Sequence, residues 1–171
     1  MKKFTTYLLI FILTISMTYA EIPLYARYLT KGIEIISPDG DKKTYTNIDE
    51  IPEIQYASKI FAYGMVIMSF YCVDIILKNR QGIFVAKSPI TQELVIAKVE
   101  NSNNGPISIA FDKVTKAELS PDAKISFKYV DSTITLKVLM GTISMDTNGN
   151  NFELYEGEAF IYKYKGENDA I

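Results

Sequence analysis

Histidine is absent from this chain of 171 residues. Its absence excludes Ser-His-Asp triads, imidazole general bases, histidine pH switches and histidine-ligated zinc or iron sites. Cysteine occurs once, as Cys72, so the chain can form no internal disulfide, zinc ribbon or Cys-x-x-Cys redox pair. We expect Cys72 to act as a small buried hydrophobic residue.

The chain has no excess of basic residues either, because it contains 18 Lys and Arg residues and 20 Asp and Glu residues. The signs are mixed along the chain, so we expect no nucleic acid partner. Apolar and aromatic residues make up 48% of the sequence, enough to bury the core of one domain. Twelve Tyr and nine Phe, with frequent Ile, Val and Thr, favour strands over helices.

Sequence motifs of catalysis are also missing. No serine has a lysine three residues later, and neither Gly-x-Ser-x-Gly nor a phosphate-binding Gly-rich loop occurs. Asp74, Asp112 and Glu118 are carboxylates of the kind that form acid–base pairs in glycosidases. Sequence spacing cannot place any two of them together, and a solvated turn or strand edge accounts for each. We therefore predict that the chain is not an enzyme and assign no catalytic residue.

Two acidic turns superficially suggest calcium, Asp39-Gly40-Asp41 and the segment from Asp146 to Asn151. Neither has the regularly spaced oxygen ligands of a calcium loop. The preference of Asp, Asn and Gly for turns explains both. We predict no metal site and no cofactor.

The first twenty residues have the pattern of a secretory signal peptide. Lys2 and Lys3 precede a short apolar run from Leu8 to Ile15, and Thr18-Tyr19-Ala20 is typical of a cleavage site. The alternative, an uncleaved membrane anchor, needs a longer apolar run. We predict a periplasmic or secreted protein that begins at Glu21. Loss of two lysines makes this product more acidic, so charge alone should not hold it on anionic lipid, and no stable membrane anchor is expected.

A second apolar stretch runs from Ile60 to Leu77, and its length just reaches that of a membrane span. Asp74 within it would be costly in lipid. We interpret the stretch as two or three short buried strands, with turns near Gly64 and Tyr71-Cys72. A helix in the membrane or in the core is the alternative.

Alternating apolar and polar residues predict hairpins in the rest of the chain. Lys124 to Val138 alternates on both sides of Val130-Asp131-Ser132, and Asn148-Gly149-Asn150 is a tight-turn signal. A last strand from Ala159 to Tyr164 precedes a polar tail. Pro52 limits the neighbouring segment to one helical turn. Further strands are predicted at Ile33–Ile36, at Ile83–Ala86 and from Ile107 to Phe111.

The expected fold is all-β, with antiparallel hairpins that form a sandwich, roll or solenoid-like domain over residues 21–165. A signal peptide (1–20) precedes this domain, and a flexible tail (166–171) follows it.

Several motifs occur in a characteristic order. A strand and turn open at Gly32, a strand starts at Ser58-Lys59-Ile60, and Gly141-x-Ile-x-Met precedes Leu154-Tyr155-Glu156-Gly157-Glu158-Ala159. From about Tyr28 to Lys163 this order resembles the FecR-like periplasmic domain family, in which a Leu-x-x-Gly-Glu-Ala stretch follows a Gly-led strand. The members that regulate sigma factors carry a cytoplasmic segment and a membrane helix, where this chain has a signal-like segment. The resemblance implies an all-β envelope domain that binds or scaffolds.

Two functions follow as expectations. The first is a binding or scaffold module of the cell envelope, which contacts another envelope protein or component through edge strands or through Tyr155, Tyr162 and Tyr164. Those tyrosines have the alternative role of a half-buried strand face. The second is lipid handling, in an exported β-jellyroll that resembles the LptA/OstA group. In that case the apolar stretch from Ile60 to Leu77 would line a groove.

Overall fold

Antiparallel strands form almost all of the secondary structure in the computed structural model, which describes residues 24–99, 102 and 105–164. The strands are β1 (Leu24–Leu29), β2 (Ile33–Ile36), β3 (Lys42–Tyr45), β4 (Ser58–Ala62), β5 (Val66–Phe70), β6 (Val73–Leu77), β7 (Gly82–Lys87), β8 (Leu94–Lys98), β9 (Ile107–Ala110), β10 (Thr115–Leu119), β11 (Lys124–Val130), β12 (Thr133–Met140), β13 (Thr142–Thr147), β14 (Asn150–Tyr155) and β15 (Ala159–Lys163). A short 3-10 helix, Ile48–Glu50, lies between β3 and β4.

The strands form two sheets that pack face to face over one core. Sheet A has the order β1-β5-β6-β9-β10-β13-β14, and sheet B has the order β15-β12-β11-β8-β7-β4-β2-β3. After β4 the chain places successive hairpins alternately in sheet A and sheet B. The fold is therefore an antiparallel sandwich built from hairpins, as the sequence predicts.

The alternation of side chains along the strands decides which face of each sheet is buried. In the β11–β12 hairpin, Ile125 and Phe127 are buried opposite Val138 and Leu136. Ile134 is fully buried on β12, whereas Lys137 on the other face is exposed. Because successive side chains point to opposite faces of a strand, this period-two pattern gives each sheet one apolar inner face.

The apolar stretch from Ile60 to Leu77 is strand rather than helix. It comprises most of β4 and all of β5 and β6, and the chain turns near Gly64 and at Tyr71-Cys72, as predicted. Its inward side chains, among them Met68 and Leu77, are completely buried in the core. Among the described residues, no helix is long and apolar enough to cross a membrane.

The predicted hairpins are present, with two kinds of difference. β12 continues to Met140, beyond the predicted end at Val138. The prediction also omitted β1, β3, β8 and β10. β3 has no buried side chain, so its sequence lacks the alternating apolar signal. The predicted signal peptide and the predicted tail lie outside the described residues.

The two ends of the sandwich are closed differently. At the first end, the connection from β3 to β4 covers the core between edge strands β1 and β3, and Ile54 within it is 1% exposed. The 3-10 helix of this connection packs on β1, and Asn47 caps it by accepting the Asp49 N–H. At the second end, edge strands β14 and β15 are joined by the short turn Glu156–Glu158. The rings of Phe152, Phe160 and Phe111 close that end.

Candidate functional site

A cleft of about 290 Å³ lies beside the β5–β6 turn and extends toward the end of sheet B. We call it the tyrosine cleft. Its lining combines four phenol rings, one guanidinium group and three small polar or sulfur side chains: Tyr25, Arg27, Ser69, Tyr71, Cys72, Asp74, Tyr129 and Tyr164. Aromatic walls with a few polar groups are typical of small-ligand sites.

Tyr71 occupies an unfavourable backbone conformation at the mouth of this cleft. It begins the two-residue turn between β5 and β6, with a φ of 52°. Bulky residues seldom adopt this left-handed region, where Gly or Asn is usual. The Tyr71 ring stacks on Tyr129 with 3.9 Å between ring centroids, and it meets Phe70 edge-on at 4.8 Å. These aromatic contacts stabilise the turn despite the unfavourable φ of Tyr71.

A buried carboxylate forms the polar part of the cleft. Asp74 lies on the outer face of β6, and its side chain accepts a hydrogen bond of 2.6 Å from Ser69 and pairs with Arg27. Arg27 reaches this position because a β-bulge interrupts β1 between Ala26 and Tyr28. The pair neutralises the charge that Asp74 would otherwise carry unpaired in a buried position.

Cys72 is half-buried next to Asp74, close to the predicted role of a small hydrophobic residue. Burial raises the pKa of the Cys72 thiol, and the nearby carboxylates Asp112 and Asp74 raise it further. The thiol is therefore protonated at neutral pH, whereas the thiolate is the reactive form.

The carboxylates considered in the sequence are placed in three different environments. Asp74 is the buried partner of Arg27, as described above. Asp112 lies in the β9–β10 turn, where it accepts hydrogen bonds from the Val114 and Thr115 N–H groups and from the Tyr162 hydroxyl. Burial alone would raise the pKa of Asp112, but these bonds lower it below its usual value. Glu118 is exposed on the outer face of β10, opposite Ser108.

The two acidic turns form side-chain hydrogen bonds of ordinary turns. Asp39 accepts from the Ser37 hydroxyl at 2.5 Å, and Asp146 accepts from the Gly149 N–H at 2.8 Å. In the part of the chain that the structure describes, no group of three acidic, cysteine or histidine side chains is arranged to hold a metal ion.

The three tyrosines singled out in the sequence have different surroundings. Tyr155 on β14 is 54% exposed, and its hydroxyl donates to Glu153. Tyr162 is half-buried against Phe111, in the predicted role of a strand face. Tyr164 lines the tyrosine cleft. Sequence periodicity could not reveal that cleft, because its members come from four separate regions of the chain.

A second candidate surface is the free edge of β14. β13 and β14 are joined by a two-residue turn, which closes on the hydrogen-bonded pair Thr147 and Asn150. The N–H groups of Asn151, Glu153 and Tyr155 consequently point away from β13. The Tyr155 N–H donates to the Glu158 carboxylate at 2.8 Å, which agrees with this direction. No described strand lies on that side of β14.

Fold and surfaces together define an all-β sandwich with one tyrosine-lined cleft and one open pair of edge strands. Comparison of the chain with protein-family models, with curated proteins and with solved structures finds no match.

Proposed function

We propose that this chain is an exported, non-catalytic binding or scaffold module of the cell envelope, and that it takes an extended strand of a partner protein onto β14. The observation that carries the proposal is the contrast between its sheet edges. β1 is bulged and β3 is short and lysine-rich. β14 is regular over six residues, no described strand pairs with its outer side, and Glu158 engages the backbone of Tyr155 at the end of that edge. Natural sandwiches usually protect such an edge unless a partner occupies it.

The chemistry around β14 indicates what the partner strand carries. On the outer face, Glu153 and Asp146 lie beside the edge, and Glu156 and Glu158 follow in the turn. On the inner face Phe152 is 41% exposed. A strand with alternating basic and apolar residues would match both faces, because side chains of an added strand alternate in the same way. The FecR-like resemblance, with its implied envelope binding role, supports the same proposal.

Photocrosslinking tests this proposal with two matched probes. p-Benzoylphenylalanine replaces Tyr155 on β14 or Tyr25 on β1, two edge-strand tyrosines that are 54% and 55% exposed. In cells that produce the protein, we expect the probe at position 155 to form an adduct with an envelope protein and the probe at position 25 to form little. Adducts of twice the chain mass would show a second copy instead, and equal yields at both positions would contradict the proposal.

Addition of a strand to β14 should also require the backbone N–H of Asn151. Asn151→Pro removes an N–H that points away from β13, so the β13–β14 ladder keeps its bonds while the added strand loses one. Asn151→Thr retains the N–H and is the matched control. Combined with the probe at position 155, the proline variant should lower the adduct yield severalfold and the threonine variant should not. A similar yield in both would show contact without strand pairing.

Lipid handling of the LptA/OstA type is the second candidate function. In the sequence, this candidate rests on the apolar stretch from Ile60 to Leu77. Packing in the core accounts for that stretch. A different observation favours it: at the second end, the rings of Phe152 and Phe160 lie over the interior, and Phe152 is partly exposed. Native mass spectrometry of the purified protein should detect bound acyl chains if this function is correct. We expect none.

A further inference from the structure

Four lysines lie on the outer face of three adjacent strands of sheet B. Lys124 and Lys128 are on β11, Lys137 is on β12 and Lys163 is on β15, and all four side chains are exposed. We call this group the lysine patch. The linear sequence does not reveal this grouping, because the four residues are spread over forty positions.

Strand register shows that these side chains share one face. Lys128 is opposite Thr135, which is opposite Ile161, while Lys137 is opposite both Ser126 and Ala159, and Lys163 is opposite Thr133. The inner face at the same strands holds the buried core residues, including Leu136. Because neighbouring strands lie about 5 Å apart, the patch is roughly 10 Å wide and about 20 Å long.

β11, β12 and β15 carry no acidic side chain, and Glu93, which precedes β8, lines the same surface depression as Lys128. Among the described residues, no carboxylate lies within ion-pair distance of any of the four lysines, whereas Lys42 and Arg27 elsewhere are paired. The outer face of sheet A is different, since Glu118, Asp146 and Glu153 there accompany Lys116. The fold thus segregates charge that is mixed in the sequence.

An exposed aliphatic side chain lies on β15, the edge strand of the patch. Ile161 is 68% exposed, and Ala159 and Lys163 follow the same face of β15 on either side of it. An apolar group next to lysines, whose stems can lie along apolar surface, is typical of a membrane interface. The patch has no exposed aromatic ring on which nucleic acid bases could stack.

We infer that the lysine patch docks the protein reversibly on an anionic lipid surface. A bilayer offers phosphates across a plane, which fits lysines spread over three strands with one exposed isoleucine at their edge. The low net charge argues against such binding only when charge is averaged over the molecule. In solution, charges farther away than about 8–10 Å are largely screened, so the local patch dominates at contact.

Vesicle flotation tests this inference with the purified exported protein. Vesicles of phosphatidylcholine are compared with vesicles that also contain about one third phosphatidylglycerol, and the ratio of binding is the readout. We expect binding to the anionic vesicles that falls with added salt. Lys128→Gln combined with Lys137→Gln should reduce the ratio roughly twenty-five-fold, about fivefold per lysine.

The matched control removes the same charge from sheet A. Lys113→Gln combined with Lys116→Gln should leave the ratio nearly unchanged, because both exposed lysines lie near the opposite face. Ile161→Ser should lower binding severalfold while retaining its salt dependence. Equal losses in the two lysine pairs, no binding of the unaltered protein, or preferential binding to soluble heparin would each overturn the inference. Unchanged melting temperatures verify that the variants are folded.

Discussion

At the first end of the sandwich, edge strand β1 is interrupted by a bulge and contacts the 3-10 helix of the connection from β3 to β4. Edge strand β3 is short and carries two lysines. At the second end, β14 and β15 have regular register and only a three-residue turn between them. Both ends close the same core. Edge protection in this fold is therefore local, because no described segment covers β14 and β15 as the connection covers the first end.

The largest expected difference between the two ends concerns their covering side chains. Ile54→Ala at the first end should lower the free energy of unfolding by about 2–4 kcal/mol, because Ile54 is fully buried. Phe152→Ala at the second end should cost only about 1 kcal/mol, since this ring is 41% exposed. Urea denaturation measures both. Equal losses would mean that the second end is as tightly packed as the first.

Each end also has a tyrosine hydroxyl that donates to a carboxylate. Tyr63 donates to Glu34 at the first end, where Lys42 pairs with the same carboxylate at 2.9 Å. Tyr162 donates to Asp112 at the second end, at 3.0 Å. Tyr63→Phe and Tyr162→Phe should each lower the unfolding free energy by about 1–2 kcal/mol. A loss under a few tenths of a kcal/mol at either end would show that water replaces the hydroxyl without cost.

Acid should weaken both ends in the same direction. Burial raises the pKa of Glu34, but the bonds from Tyr63 and Lys42 outweigh it and the pKa lies below its usual value. The pKa of Asp112 is lowered as well, by the bonds described above. A carboxyl with a lowered folded-state pKa stabilises the protein above its unfolded pKa and loses that contribution as pH falls through the folded pKa.

Thermal unfolding followed at decreasing pH checks this expectation. The melting temperature should fall once pH drops through the ordinary carboxyl range, and the fall should be shallower in Tyr63→Phe, where part of the pKa shift is removed. A steeper fall in that variant would show that the hydroxyl does not favour ionised Glu34.

The smallest expected effect on stability is at edge strand β3. Lys43→Val on β3 should change the unfolding free energy by less than about 0.5 kcal/mol, because this side chain is exposed. It removes a charge that discourages strand pairing, so light scattering should show more self-association at high concentration. Unchanged association would indicate that the covering connection alone protects this end.

Much of the strand pattern was predictable, while the candidate surfaces were not. The turns at Tyr71-Cys72, Asp131-Ser132 and Asn148-Gly149 follow from short-range signals, and the structure has all three. β3 and β1 were missed because a lysine-rich edge and a bulged strand depart from strict alternation. The tyrosine cleft was missed because Arg27, Asp74 and Tyr164 are far apart along the chain.

Local patterns are enough to predict the all-β class, the inward faces of most strands and the positions of the tight turns, because these depend on residues a few positions apart. The tertiary structure determines which hairpins are neighbours and which strands are edges. The alternation of apolar and polar residues indicates which side chains are buried, but it does not indicate which strand lies alongside. That long-range choice exposed β14, stacked Tyr71 on Tyr129 and gathered four dispersed lysines on one face.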